Sequence, residues 1–313
     1  MASYSVGDIK NLFTAGSDAT KARTKTIRIA IFVEEGVAQG LIDIAKQYLN
    51  PSLPTGLIHV EVFTDAHQAQ INTNTDIALI IGKSANACTK LYMRLAEFDI
   101  PTKIICDNAD NILHTNLWSY DKINPNTILV LDPLNLSVSK ELYNLGSWML
   151  DVIGEDRQLA LAANFTFARK ALAESIVQET SKQNALVGGV TIIPGADMPV
   201  MTLNQAKMIL QIAAAYGQEM GPERIKELAA VVGGGFALRA LARNTIGIIP
   251  ALGWAVKAGI GYSGTLAMGK AVIEYFEQGG NLQGMSTKLL KQGSKLKNKL
   301  QSKKNISQDS KEI

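Results

Sequence analysis

Residues 228–277 constrain this chain more than any other stretch: glycine, alanine and aliphatic side chains run almost without a break and are interrupted only by single charges. Gly247, Ala251, Ala255, Gly259, Ser263, Ala267 and Ala271 recur at every fourth position, which on a helix aligns small side chains into one ridge. Such a ridge lets a second helix approach closely, either in the small-xxx-small manner of membrane helix pairs or in the ridge-into-groove packing of soluble bundles. Charge spacing favours the second. A bilayer core needs about 20 mainly apolar residues. Here 13 uncharged residues separate Arg243 from Lys257 and 12 separate Lys257 from Lys270. Pro250 also breaks a helix running through it, because it lacks an N–H and restricts the residue before it. The expectation is a Gly/Ala-rich helical bundle over residues 135–280. It is soluble or bound at a membrane surface, and insertion of residues 228–277 into lipid stays open.

The N-terminal part reads differently. Residues 27–33, 57–63, 76–82, 102–108 and 126–132 are short runs rich in β-branched residues that end in turn residues or acids. Their continuous apolarity suggests strands buried on both faces. Helical patterns at 37–49, 85–98 and 109–117 lie between them, although the link 64–75 is short for a crossover helix. Residues 1–134 are therefore expected to form a five-stranded, open parallel sheet of Rossmann-like or flavodoxin-like type, giving an α/β plus all-α chain. Beyond Pro133, helices are predicted at 139–153 and 156–182. Thr202 and Gln205 form a Thr-x-x-Gln capping box before a helix that Gly217 closes, and Pro222 starts another.

In an open α/β sheet, ligands bind beyond the carboxyl ends of the strands, near the point where strand order reverses. Glu34, Glu35, Gly36, Gly82, Lys83, Ser84 and Asp107 stand at such ends and are the candidate anion or ligand site. Gly82-Lys83-Ser84 resembles the end of a phosphate loop, but GxxxxGK[ST] needs glycine where Ile77 stands, in a buried strand. A glycine turn with a serine cap is the simpler reading. The receiver-domain pattern fails as well, since the third strand ends in glycine and lysine where a phospho-acceptor aspartate belongs. Asp107-Asn108-Ala109-Asp110 only faintly echoes the base-reading NKxD of GTPases. No catalytic residue is identified, and no cofactor is implied.

Charge is concentrated at the end. Residues 288–313 hold eight lysines and two acids, a net of +6 against +3 for the whole chain, which leaves −3 for the remainder. Lys288, Lys291, Lys295 and Lys299 cluster beside a stripe of Met285, Leu289, Leu296 and Leu300, a basic amphipathic design suited to an anionic membrane surface. The tail is taken as residues 281–313. Nucleic acid is disfavoured, because no aromatic residue is interleaved for base stacking. Two cysteines and three scattered histidines exclude a cysteine-rich metal cluster or a disulfide framework, so no metal site is expected. The first 25 residues contain no apolar signal segment, which points to a cytoplasmic chain, peripheral on or inserted in the cytoplasmic membrane.

The stretch IIPGADMPVMTLNQAKMILQIAAAYGQ (192–218), with ELAAVVGGGFALRALAR and IPALGWAVKAGIGYSGTLAMGKAVIEYFEQGG after it, resembles a bacterial domain of unknown function. That domain is found in YcjF-type inner-membrane proteins and at the C-terminus of some Era-like GTPases. The resemblance covers roughly residues 160–280. It implies a hydrophobic helical module with family-typical positions at Pro194, Asp197, Pro199, Asn204, Gln205, Gly217, Arg239, Arg243, Gly253, Gly264 and Gly269. Their role is read as structural: Asp197 accepts hydrogen bonds, and Arg239 and Arg243 hold acids. GTP hydrolysis does not carry over, because the N-terminal domain lacks the phosphate loop.

These readings converge on a non-enzymatic protein. Its helical module self-associates or docks on the inner membrane, and its sheet domain binds a partner protein or a small anion. The alternatives are a nucleotide- or anion-binding regulator with weak hydrolytic activity, and a scaffold for a partner GTPase.

Overall fold

The computed structural model describes residues 6–67, 69–108, 125–132, 138–190, 197–218, 223 and 254–280. The expected helices at 109–117 and from Pro222, and the tail from 281, lie outside the described residues. The chain divides into two compact units, one of Lys21–Leu172 and one of Met1–Thr20 with Ala173–Ile313.

In the first unit, β1 (Ile27–Glu34), β2 (Gly56–Phe63), β3 (Ile77–Ile81), β4 (Thr102–Cys106) and β5 (Ile128–Val130) form one sheet in the order β2-β1-β3-β4-β5. Every pairing is parallel. All five residues of β3 and of β4 are buried, as continuous apolar runs covered on both faces require. β2 lies at the edge, and its burial falls accordingly, with Val60 58% and Val62 56% exposed.

Two helices follow the strands as the sequence predicts: α2 (Gln39–Tyr48) after β1 and α3 (Ala85–Ala96) after β3. On one face, α3 buries Ala87, Cys88, Leu91 and Leu95 against Ala30, Phe32, Ile80 and Ile104. No helix bridges β2 and β3 among the described residues. Ala69 and Ile71 of that link pack into the same cluster in its stead, held by Arg94 Nη1 donating to Ala69 O at 3.0 Å. On the opposite face α2 lines an open apolar groove of about 560 Å³ with Ile42, Ala45 and Leu49 against Ile31, Val33, Ile58 and Val60.

After β5 come α4 (Ser139–Val152), α5 (Gln158–Asn164) and α6 (Arg169–Val190). The helix expected over 156–182 is thus broken at Phe165, which is extended at φ −117° and ψ 109° and fully buried. Asn164 accounts for the break. Its Nδ2 donates back to Ala160 O at 2.9 Å and its Oδ1 accepts Leu53 N–H at 3.1 Å, so its side chain competes with helix continuation and clamps the entry to β2. Lys103 of β4 is buried too. Its Nζ donates to Asn126 O at 2.5 Å and lies 5.0 Å from the Trp148 ring centre, and burial lowers its pKa.

The second unit contains α7 (Asp197–Ala215) and α8 (Trp254–Glu277), with the core residues Leu12, Val177, Met208, Ile209, Ile212, Val272, Ile273 and Phe276. Leu12 lies on α1 (Val6–Arg23). The capping box expected at Thr202 and Gln205 does not form, because α7 already starts at Asp197 and both residues are buried inside it. Gly217 does close α7. It sits at φ 79°, its N–H bonds Ala214 O, and Gln218 N–H bonds Ala213 O.

Candidate functional site

The order β2-β1-β3 makes the chain cross over β1 on its way from β2 to β3, and the carboxyl ends of β1 and β3 flank that switch point. Glu34 ends β1 and is 6% exposed. Its Oε2 accepts the Lys83 N–H at 2.7 Å and the Ser84 N–H at 2.9 Å, and its Oε1 accepts a very short bond from Ser84 Oγ. Cys88 Sγ donates to Oε2 at 3.6 Å. The N–H groups of Lys83 and Ser84, just ahead of α3 and where a ligand anion was expected, are therefore held by the protein's own carboxylate. An anion at a helix N-terminus is the arrangement the dipole favours.

Glu34, Gly36, Gly82, Lys83 and Ser84 are brought together as the sequence suggested. Gly36 turns the chain at φ 73°, and its carbonyl accepts Lys83 Nζ at 3.0 Å. Gly82 has no room for a side chain: a Cβ there would fall 2.0 Å from Cys88 Sγ and 3.1 Å from Glu34 Oε2. Glu35 points into solvent, and its backbone N–H bonds Phe63 O. Asp107 follows β4, half-buried, with Oδ1 shielded and without a hydrogen-bond partner.

Two thiols border this region, and both are held neutral. Burial raises the Cys88 pKa, and the Glu34 charge raises it further. Burial and then Asp107 push Cys106 up to about 11. A thiol so raised is a poor nucleophile at neutral pH. Among the described residues no group of three or more His, Cys, Asp or Glu side chains is placed to hold a metal.

A second polar centre lies inside the helical unit. Thr265 of α8 is fully buried, and its Oγ1 accepts Asn184 Nδ2 from α6 and Gln205 Nε2 from α7, both at 2.9 Å, while donating to Gly261 O at 2.8 Å. Asn204 Nδ2 adds a bond to Asn184 Oδ1 at 3.0 Å. Two of the family-typical positions, Asn204 and Gln205, are thus explained by hydrogen bonding. Asn184 and Thr265 were missed by the sequence reading, though the Gly261-x-x-x-Thr265-x-x-x-Gly269 spacing carried a signal for one of them.

That spacing also corrects the ridge. Gly259, Ser263, Ala267 and Ala271 are exposed, whereas Gly261, Thr265 and Gly269 are buried. A Cβ on Gly261 would lie 2.6 Å from Asn184 O, and one on Gly269 would lie 2.3 Å from Val177. The close approach is real but two residues out of register with the one expected. Gly264 faces open space. Asp197 is the first residue of α7, and Pro199 is exposed in its first turn, where proline costs no helical hydrogen bond. Pro194, Arg239, Arg243, Gly253, Lys288, Lys291, Lys295 and Lys299 lie outside the described residues. No described helix is long and apolar enough to cross a membrane.

Residues 156–302 match the family model described as a domain of unknown function (DUF697). The C-terminal part of the chain is consistent with that domain family, as the resemblance implied. The match reaches the domain alone and not the GTPase or YcjF-type context. No curated protein and no solved structure matches the chain.

Proposed function

We propose that this chain is a non-enzymatic, two-part protein: a degenerate nucleotide-fold unit that binds and regulates a partner, joined to a DUF697 module that self-associates or docks on a membrane surface. The observation that supports it is the use made of Glu34. A phosphate bound by the N–H groups of Lys83 and Ser84 would have to displace a buried carboxylate from two backbone donors and a hydroxyl, and then lie against its charge. Loss of phosphate binding with retention of the sheet is what a recognition unit derived from such a fold would display. Isothermal titration with nucleoside triphosphates and Mg²⁺ tests this: no heat at near-millimolar ligand is expected, with the same result in Lys83→Ala. Clear binding that Lys83→Ala abolishes would replace the proposal.

The runner-up is an anion- or nucleotide-binding regulator, and one observation favours it. Lys83 Nζ is on the exposed side of the crevice and is bonded to a carbonyl rather than a carboxylate, so its charge is available to an incoming anion. The membrane half of the proposal rests on the basic, amphipathic pattern of residues 285–300. Flotation with anionic and with neutral vesicles separates the cases. Binding to anionic vesicles that is lost on deleting residues 284–313 supports a surface role, and equal recovery from both vesicle types, unchanged by the deletion, removes it.

A further inference from the structure

The two edges of the sheet are unequal. β5 has three residues, and the sequence runs from it into Asp132-Pro133, a short edge ended by a residue that cannot donate. β2 has eight, Gly-Leu-Ile-His-Val-Glu-Val-Phe, with no proline, no lysine and no described strand on its outer side. Long edges without such protection are templates for pairing with another chain.

The direction of the free backbone groups follows from the inner pairing. Ile27 N–H bonds Thr55 O and Glu35 N–H bonds Phe63 O, so the odd-numbered residues of β2 turn their backbone toward β1. The N–H and C=O groups of Ile58, Val60 and Val62 point outward. Their side chains share the sheet face that carries the apolar groove, since Ile58 lies beside Ile29, Val60 beside Ile31 and Val62 beside Val33. His59 and Glu61 lie on the other face, with His59 Nε2 3.4 Å from Glu61 Oε2.

We infer that two copies of this chain pair through β2, antiparallel and centred on Val60, to join their five-stranded sheets into one. Side-chain complementarity selects that centre. Outward backbone groups on even residues allow twofold axes at His59, Val60 or Glu61. An axis at His59 sets imidazole opposite imidazole, and one at Glu61 sets two carboxylates together. With the axis at Val60, His59 of each copy faces Glu61 of the other in the closely spaced, non-hydrogen-bonded position, where an imidazole N–H can donate to a carboxylate. Val60 then pairs with Val60 and Ile58 with Val62, each pair exchanging two N–H···O bonds, and the exposed valines of both copies merge into one apolar stripe. One strand edge is a small interface, so the dimer is concentration-dependent. It is separate from any association of the helical module.

Sedimentation equilibrium of the full chain, with Val60→Lys, His59→Glu and the double variant His59→Glu/Glu61→Lys, tests the inference. Wild type is expected to dimerise as concentration rises. Val60→Lys, at an exposed position, sets two ammonium groups on the axis, and His59→Glu sets carboxylates opposite, each raising the dissociation constant at least about tenfold. The double variant sets a carboxylate opposite an ammonium group and recovers the dimer. Hydrogen exchange adds a finer readout: the amides of Ile58, Val60 and Val62 gain protection with concentration, while those of His59 and Glu61 are already protected. A monomeric wild type, a dimer indifferent to both Val60→Lys and His59→Glu, or equal protection of odd and even amides would overturn it. Association through the helical module alone survives Val60→Lys, so the two kinds of contact are told apart.

Discussion

The sheet unit gathers buried polar contacts around a carboxylate, Glu34, whereas the helical unit gathers them around a hydroxyl, Thr265, with Asn184 and Gln205 as donors. The first is a charge at the mouth of a crevice, stabilised by a helix N-terminus. The second is a neutral network inside an apolar bundle, with one member on each of α6, α7 and α8. A charge at a helix N-terminus tolerates some solvent and fixes one loop against one strand. A buried neutral network has no solvent at hand to replace a partner that is removed, and it fixes the relative rotation of three helices. The contrast predicts that single changes to the network cost more than single changes to the carboxylate.

The strongest way to break the comparison is Thr265→Val, which keeps the shape and removes the hydroxyl. Two buried amide donors lose the hydroxyl as acceptor at about 1–3 kcal/mol each, with Asn184 Nδ2 keeping only Met201 O at 3.4 Å, so a loss of roughly 4 kcal/mol is expected. Chemical denaturation combined with hydrogen exchange reads it, with protection falling in α6, α7 and α8 and persisting in β1, β3 and β4. A loss under about 1 kcal/mol would show that the network adds little to stability. Glu34→Ala comes next, at about 3 kcal/mol, because the Lys83 and Ser84 N–H groups lose a charged acceptor but can recruit water. Glu34→Gln should recover part of this, since an amide oxygen replaces one carboxylate oxygen. Equal cost for the two variants would mean that charge, not hydrogen bonding, holds the turn.

Titration separates the units in another way. Cys106 of β4 is raised from 9.0 to about 11, first by burial and then by Asp107, so the folded state favours the neutral thiol. Its contribution is complete below the unfolded value and is lost as pH climbs from there toward 11. Over that window roughly 2–3 kcal/mol of stability should disappear from the sheet unit. Cys106→Ala is expected to flatten the alkaline limb of an unfolding-against-pH curve. The network of Thr265, Asn184 and Gln205 has no titrating member and should give no such limb. Identical alkaline curves for wild type and Cys106→Ala would contradict the assignment.

Much of the sheet was legible because its signals are local. Runs such as Ile77–Ile81 are short, β-branched and bounded by turn residues, and they read as buried strands with no knowledge of their neighbours. The cluster at Glu34, Gly82 and Ser84 was also visible, since strand ends in an open α/β sheet converge by topology. What could not be read was which anion would fill it, because that depends on the rotamer of Glu34. Asn164 and Thr202 show the same limit in the helices. Asn164 lies in a stretch expected to be one helix and Thr202 was expected to cap one; the settings that decide otherwise, Leu53 and Thr55 for Asn164 and a buried helical position for Thr202, are tertiary.

The ridge on α8 shows most sharply where pattern ends and packing begins, and it supplies the smallest predicted effect. Position 269 was expected from the family resemblance to matter and does so sterically: Gly269→Ala would drive a Cβ to 2.3 Å from Val177, an overpacking that typically costs about 1–3 kcal/mol. Position 264 belongs to the same family pattern, yet a Cβ there meets nothing within 4 Å. Gly264→Ala should therefore stabilise the helix by about 0.5–1 kcal/mol, the usual gain of alanine over glycine in an exposed helical position. Opposite signs at two glycines five residues apart in one helix would place the close contact on the Gly261-Thr265-Gly269 line. If Gly264→Ala instead destabilises the isolated chain, the face of α8 that includes Gly264 is covered in solution, and the small side chains of that face, Gly259, Ser263 and Ala267, take part in a contact after all.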